Sequence, residues 1–189
     1  MKKRRYPIIF LSLILFIILT SCTGSQNDKI ETDTKDSQLY ASLSSYLNYY
    51  YSMDLFSYDD IVNGIIEDKD SDYILGRVDA VIKYSPVYLS LAWTAQKNMD
   101  EPVMSEDLFN AISNLDRARI NHLTLIKHKI LDGELNSLDL EKYKKLSKAL
   151  RGLNIDVTHL DNEKEYIENL NNCIDIISKL ENKKTKQYE

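Results

Sequence analysis

The chain has 189 residues, 28% of them charged and 43% apolar, and its 24 basic and 29 acidic residues give a formal charge of −5. That balance, with the lysines scattered along the chain, excludes a nucleic-acid binder, because a phosphate backbone is held by a basic patch whose binding releases counterions. With only five glycines and three prolines, the chain is also too poor in turn formers for a β protein.

The first residues are the most specific. Lys2, Lys3, Arg4 and Arg5 form a positive start, and Tyr6 to Leu19 form an apolar run interrupted only by Ser12. That order is the grammar of a secretory leader. A helix over the run would span roughly 20 Å, short of the roughly 30 Å of hydrocarbon in a bilayer. The run ends in Leu19-Thr20-Ser21-Cys22, which resembles the lipobox of bacterial lipoproteins. The resemblance implies cleavage before Cys22, a diacylglycerol on its sulfur and an extracytoplasmic protein held to a membrane by that lipid. Two acyl chains at about 0.8 kcal/mol per buried methylene make such an anchor stable. Thr23 follows the cysteine where an inner-membrane retention signal has aspartate, so an outer membrane is the expected address in a cell with two.

Cleavage changes the electrostatics and the thiol chemistry. The leader holds four of the basic residues and none of the acidic ones, which leaves 20 against 29 and a formal charge near −9. Anionic headgroups repel such a chain, so its attachment falls to the lipid. Lipidation consumes Cys22 and leaves Cys173 with no partner for an internal disulfide.

In chain order, residues 1–21 read as the signal peptide and 22–36 as the lipidated cysteine with a disordered tether. Thr23 to Asp36 is polar and lacks aromatics, a composition that buries too little to fold. Residues 37–182 read as one all-α bundle of about five to seven helices with mostly antiparallel neighbours, and 183–189 as a basic tail that frays. The spacing of Leu39, Leu43, Leu47 and Tyr50 predicts a helix over Ser37–Phe56, and the capping-box spacing of Ser57 and Asp60 predicts a second, short one. Tyr73 to Asn98 is broken at Ser85-Pro86 into two abutting helices. Of these, Val87 to Ala95 is apolar nearly all round, as a central helix is. Ser105 caps a long helix to Leu131, which Gly133 ends. A helix from Ser137 to about Arg151 and a final one opened by Thr158 and Asp161 complete the bundle, and no repeat of solenoid period occurs.

Four groups of residues carry candidate chemistry. Asp68, Asp70 and Asp72 resemble the start of an EF-hand calcium loop, but Tyr73 stands where the loop needs glycine and Asp79 where it has a bidentate glutamate. Capping of the next helix is the simpler role. On the long helix, Arg119 falls inside the apolar stripe with His122 beside it, and a buried guanidinium demands a carboxylate. Asp116, three residues back, and Asp79, across the interface, are the candidate partners, in a structural ion pair or an anion-binding site. The three histidines His122, His128 and His159 lack metal-ligand spacing, Cys173 sits on an apolar stripe without a neighbouring base, and no metal or other cofactor is expected. Finally, six tyrosines lie between Tyr40 and Tyr58. Because Tyr49, Tyr50 and Tyr51 are consecutive, at least one of Tyr49 and Tyr51 faces outward, where tyrosine favours partners.

No nucleophile-elbow, zinc-protease, redox-dithiol or phosphate-loop motif occurs. The expectation is a noncatalytic helical interaction module that binds an envelope protein or surface polymer. A small-ligand or ion-binding lipoprotein built around Arg119 is the alternative, and an envelope hydrolase, which needs two carboxylates about 5 to 9.5 Å apart in a cleft, comes third.

Overall fold

We describe a computed structural model over residues 28–83, 87–97 and 99–181, with side chains from 37 onward except that of 87. The chain divides into two compact units, Met1–Leu39 and Tyr40–Glu189; of the first, the backbone of a helix start is described, and the packing below belongs to the second. The lipobox, Ser85-Pro86 and the basic tail lie outside the described residues.

Among the described residues the fold is an all-α bundle without strands. Its helices are α1 (Asp28–Ile66), α2 (Ser71–Lys83), α3 (Val87–Gln96), α4 (Glu106–Leu131), α5 (Leu140–Arg151) and α6 (Glu163–Glu181), with a 3-10 turn at Leu135–Ser137.

Three boundaries differ from the sequence reading, each for a local reason. Helix α1 starts at Asp28 inside the expected tether and continues through Ser57 to Ile66 without a break. No proline or glycine interrupts Asp28 to Asn63, and Leu55, Tyr58, Ile61 and Val62 are all buried, so packing holds the helix across the capping-box spacing. Helix α5 starts at Leu140 after the 3-10 turn rather than at Ser137. Helix α6 opens at Asn162, whose side-chain Oδ1 accepts from the Glu165 N–H at 3.2 Å while its side-chain amide donates back to the Glu165 carboxylate. Thr158 is instead drawn to α1, with its hydroxyl accepting from the Asn48 amide at 3.1 Å.

Other signals hold. The Ser105 hydroxyl accepts from Leu108 N–H at 3.1 Å, and Gly133 takes φ +69° just past the end of α4, a conformation that glycine adopts without steric cost.

Paired side chains give the helix directions. Asp54 meets Arg119 and Tyr58 meets His122, so α1 and α4 run the same way. Ser105 meets Glu163 at their starts, so α6 does too. Asn63 and Asp59 meet Ser147 and Arg151 in reverse order, so α5 runs against them. The chain thus reverses from α4 to α5 and again from α5 to α6, while α1, α4 and α6 run parallel.

The central helix is α4 rather than α3. It packs against α2, α3 and α6 and buries Leu108, Ile112, Leu115, Leu123 and Ile126. At about 1.5–3 kcal/mol for each such chain, those five contribute on the order of 10 kcal/mol, enough to outweigh the several kcal/mol that burying one charge on the same helix costs. Helix α3 buries Tyr88, Leu89 and Ala92 but leaves Leu91 exposed, so its apolar circumference is only partly used. No helix among the described residues is long and apolar enough to cross a membrane.

Candidate functional site

Arg119 lies where the helical stripe puts it, with only 3% of its surface exposed. Its guanidinium donates to the Asp116 carboxylate at 2.5 Å and to the Asp54 carboxylate at 3.1 Å, and reaches the Asp54 carbonyl oxygen at 3.4 Å. The Tyr88 hydroxyl completes the cluster by bonding Asp54. Asp79 is not a partner: it accepts instead from Lys127 at 2.7 Å. Asp79 sits on α2, beyond the reach of Arg119, whereas Asp54 projects from the parallel helix α1 at the same level.

The electrostatics follow from this packing. Burial raises the Asp54 carboxyl above its ordinary value even though Arg119 pulls it down. Burial also works against the Arg119 charge, but Asp54 and Asp116 outweigh it and hold the guanidinium more firmly protonated. The cavity between Arg119, Asp54, Tyr58 and Tyr88 measures about 20 Å³, room for one water molecule. The cluster is a closed ion triad rather than an open anion site.

His122 belongs to a different arrangement from the one its position beside Arg119 suggests. It is fully buried between two tyrosines, with Nδ1 2.6 Å from the Tyr58 hydroxyl and Nε2 2.9 Å from the Tyr143 hydroxyl. A neutral imidazole has one donor and one acceptor nitrogen, so one tyrosine donates to the ring and the other accepts from it. Burial pushes the imidazole down to about 4 and both phenols up. Sequence reasoning missed this pairing. Its signal was there: a tyrosine on a core stripe needs a partner for its hydroxyl, and Tyr58 and Tyr143 both occupy such positions.

The remaining candidates are placed as follows. Asp70 turns onto its own helix, its carboxylate accepting from the Asp72 N–H at 2.8 Å and the Tyr73 N–H at 3.4 Å. This is the capping role, and among the described residues no group of three or more His, Cys, Asp or Glu could hold a metal ion. His128 is exposed, His159 pairs with Asp156 at 3.2 Å, and Cys173 is buried with its thiol pushed up to about 11 by burial.

The tyrosine segment divides sharply. Tyr51 is 2% exposed, and its hydroxyl lies 2.6 Å from that of Tyr166, which donates to the Asn154 carbonyl at 2.7 Å. Because Tyr166 spends its proton there, Tyr51 is the donor between them. It is a core residue and no part of a surface. Tyr49, two residues from the buried Leu47 and Tyr51, is 59% exposed, as is Phe56, and Tyr50 and Met53 are exposed with them. Between Ser37 and Met53 there is no charged residue, so the outward face of this half of α1 consists of Ser42, Ser45, Tyr49, Met53 and Phe56. In a chain 28% charged, a solvated helix face normally carries charges. Depletion of charge with enrichment in Tyr, Met and Phe is the composition of an interface core.

Its rings are not aligned: Tyr49 and Tyr50 meet edge to face at 87°, and Tyr46 tilts against Tyr50 at 55°. A row of coplanar platforms, on which successive flat rings of a polymer would stack, is absent from this stretch. No protein-family model, curated protein or solved structure matches this chain.

Proposed function

We propose that the chain is an extracytoplasmic lipoprotein, anchored through lipid on Cys22, whose bundle is a noncatalytic binding module with the neutral face of α1 around Tyr49 as its contact surface. One observation carries the binding role: an exposed helix face that holds Tyr49, Met53 and Phe56 and, from Ser37 to Met53, no charge. Tyrosine and methionine there add contact area at small cost in conformational freedom, and serines between them let another backbone approach. The unaligned rings favour a protein partner over a surface polymer. The address rests on the order of charges, apolar run and Leu19-Thr20-Ser21-Cys22.

A photoreactive phenylalanine analogue in place of Tyr49 or Phe56, in cells that make the full chain, tests the reading. Protein adducts at both positions, and none at the exposed Leu140 on α5, are expected. Absence of adducts at 49 and 56 refutes it.

A further inference from the structure

We infer that the partner on this face is a second copy of the same chain, paired across a two-fold axis that sets the face against itself. The inference rests on the reading of the face as a binding surface and names its occupant.

Helix α1 carries two apolar faces. One, with Leu43, Leu47, Tyr51 and Tyr58, is buried in the bundle. The other, outward face has Ser42, Ser45, Tyr49, Met53 and Phe56 at steps of three, four, four and three. A surface helix needs only one apolar stripe to join its own core, so the second is surplus to the fold. Steps of three and four keep one face of a helix, and such a face can pack side by side against another helix.

Charge selects the occupant. The mature chain, with 20 basic and 29 acidic residues, is formally near −9, so two copies repel wherever acidic surfaces meet. The face is neutral, and the carboxylates that follow it on α1 are engaged: Asp54 by Arg119, Asp59 by Arg151 at 2.8 Å, and Asp60 by Arg77 at 2.8 Å. A two-fold contact sets each patch against itself, and between two chains of this charge that requires a patch as neutral as this one.

The area is sufficient. Tyr49, Tyr50, Met53 and Phe56 are each about half exposed; at roughly 200 Å² a side chain they present on the order of 400 Å². Doubled across the axis, and with Tyr46 and the serines added, this reaches about the 1,000 Å² that a specific interface has to clear.

A two-fold contact through this face brings Tyr49 and Met53 of the two copies together, and a lipid on Cys22 would hold every copy at one membrane surface. Confinement to one membrane raises the effective concentration of copies.

The experiment uses the full chain in the membranes of the cells that make it. Tyr49→Cys, Met53→Cys and, as a control, Leu140→Cys are treated with a short bismaleimide; Cys173 is buried. The expected result is an adduct of twice the chain's mass at positions 49 and 53, at least about tenfold above position 140. In a second measurement on the unsubstituted, detergent-extracted chain, sedimentation should give the dimer mass. Phe56→Lys, which sets lysine against lysine, should weaken pairing by about tenfold or more with helicity unchanged. Monomeric sedimentation, or equal adducts at all three positions, overturns the inference. If positions 49 and 53 capture a protein of another mass, self-pairing falls and the binding surface stands. If they capture nothing, both fall.

Discussion

The Tyr58–His122–Tyr143 sandwich makes stability depend on pH in a way that can be worked out. The imidazole is held neutral by burial, its pKa lowered from 6.5 to about 4. In the unfolded chain His122 binds a proton as pH falls through 6.5, while in the folded chain it does so only near 4. The unfolded state therefore holds more protons between these values. The stability from the neutral imidazole is complete above pH 6.5 and is lost as pH falls toward 4, by about 3 kcal/mol at 1.36 kcal/mol per pH unit. Replacement by glutamine, His122→Gln, keeps one donor and one acceptor but does not titrate. We expect it to cost about 1–2 kcal/mol at neutral pH through imperfect hydrogen bonding and nothing further in acid on its own account. The two stabilities should then converge as pH falls and cross near pH 5, leaving the variant ahead by about 1 kcal/mol at pH 4. Urea unfolding of the leader-free chains, followed by circular dichroism over this range, reads the difference directly. Parallel curves that never converge would refute the buried neutral histidine.

Two further predictions concern the ion triad and the anchor. Arg119→Met leaves Asp54 and Asp116 facing each other without their cation and should lower stability by about 2–4 kcal/mol at neutral pH, a fall in Tm of roughly 4–16 °C. Because burial already raises the Asp54 pKa, the loss should shrink as acid protonates that carboxyl; a thermal scan showing less than about 1 kcal/mol at neutral pH contradicts the triad. Cys22→Ser should move the chain from the membrane to the soluble fraction, while the unsubstituted chain stays through high-salt washes that strip electrostatic attachments. A serine variant that still sediments with membranes contradicts the lipid anchor.

Much of the bundle is legible in the residue pattern, and the limits have physical causes. The stripe of α4 identifies Arg119 and His122 as inward-facing, since rotation per residue is a property of the helix alone. Ser105 and Gly133 mark its ends because cap and φ > 0 are local requirements. The partners are another matter: Asp54 lies 65 residues from Arg119, and which helix runs beside α4 is decided by the packing of the whole chain. The same cause lies behind the mistaken choice of Asp79. Ser57 failed as a helix start because capping chemistry acts only where the chain already leaves the helix, and α1 is held straight there by buried side chains. Tyr49 and Tyr51 had equal standing in the sequence; the phase of α1 against α4 and α6 sends one outward and the other to Tyr166.

The central claim is that the neutral face of α1 is covered in its native setting. Oxidative footprinting of Tyr49, Met53 and Phe56 measures this, by comparing the full chain in native membranes with the same chain extracted and diluted in detergent. The account predicts that these three side chains are protected in the membrane and labelled after dilution, while the exposed Leu131 and Leu140 label alike in both. Equal labelling of Tyr49, Met53 and Phe56 in the two states would contradict it.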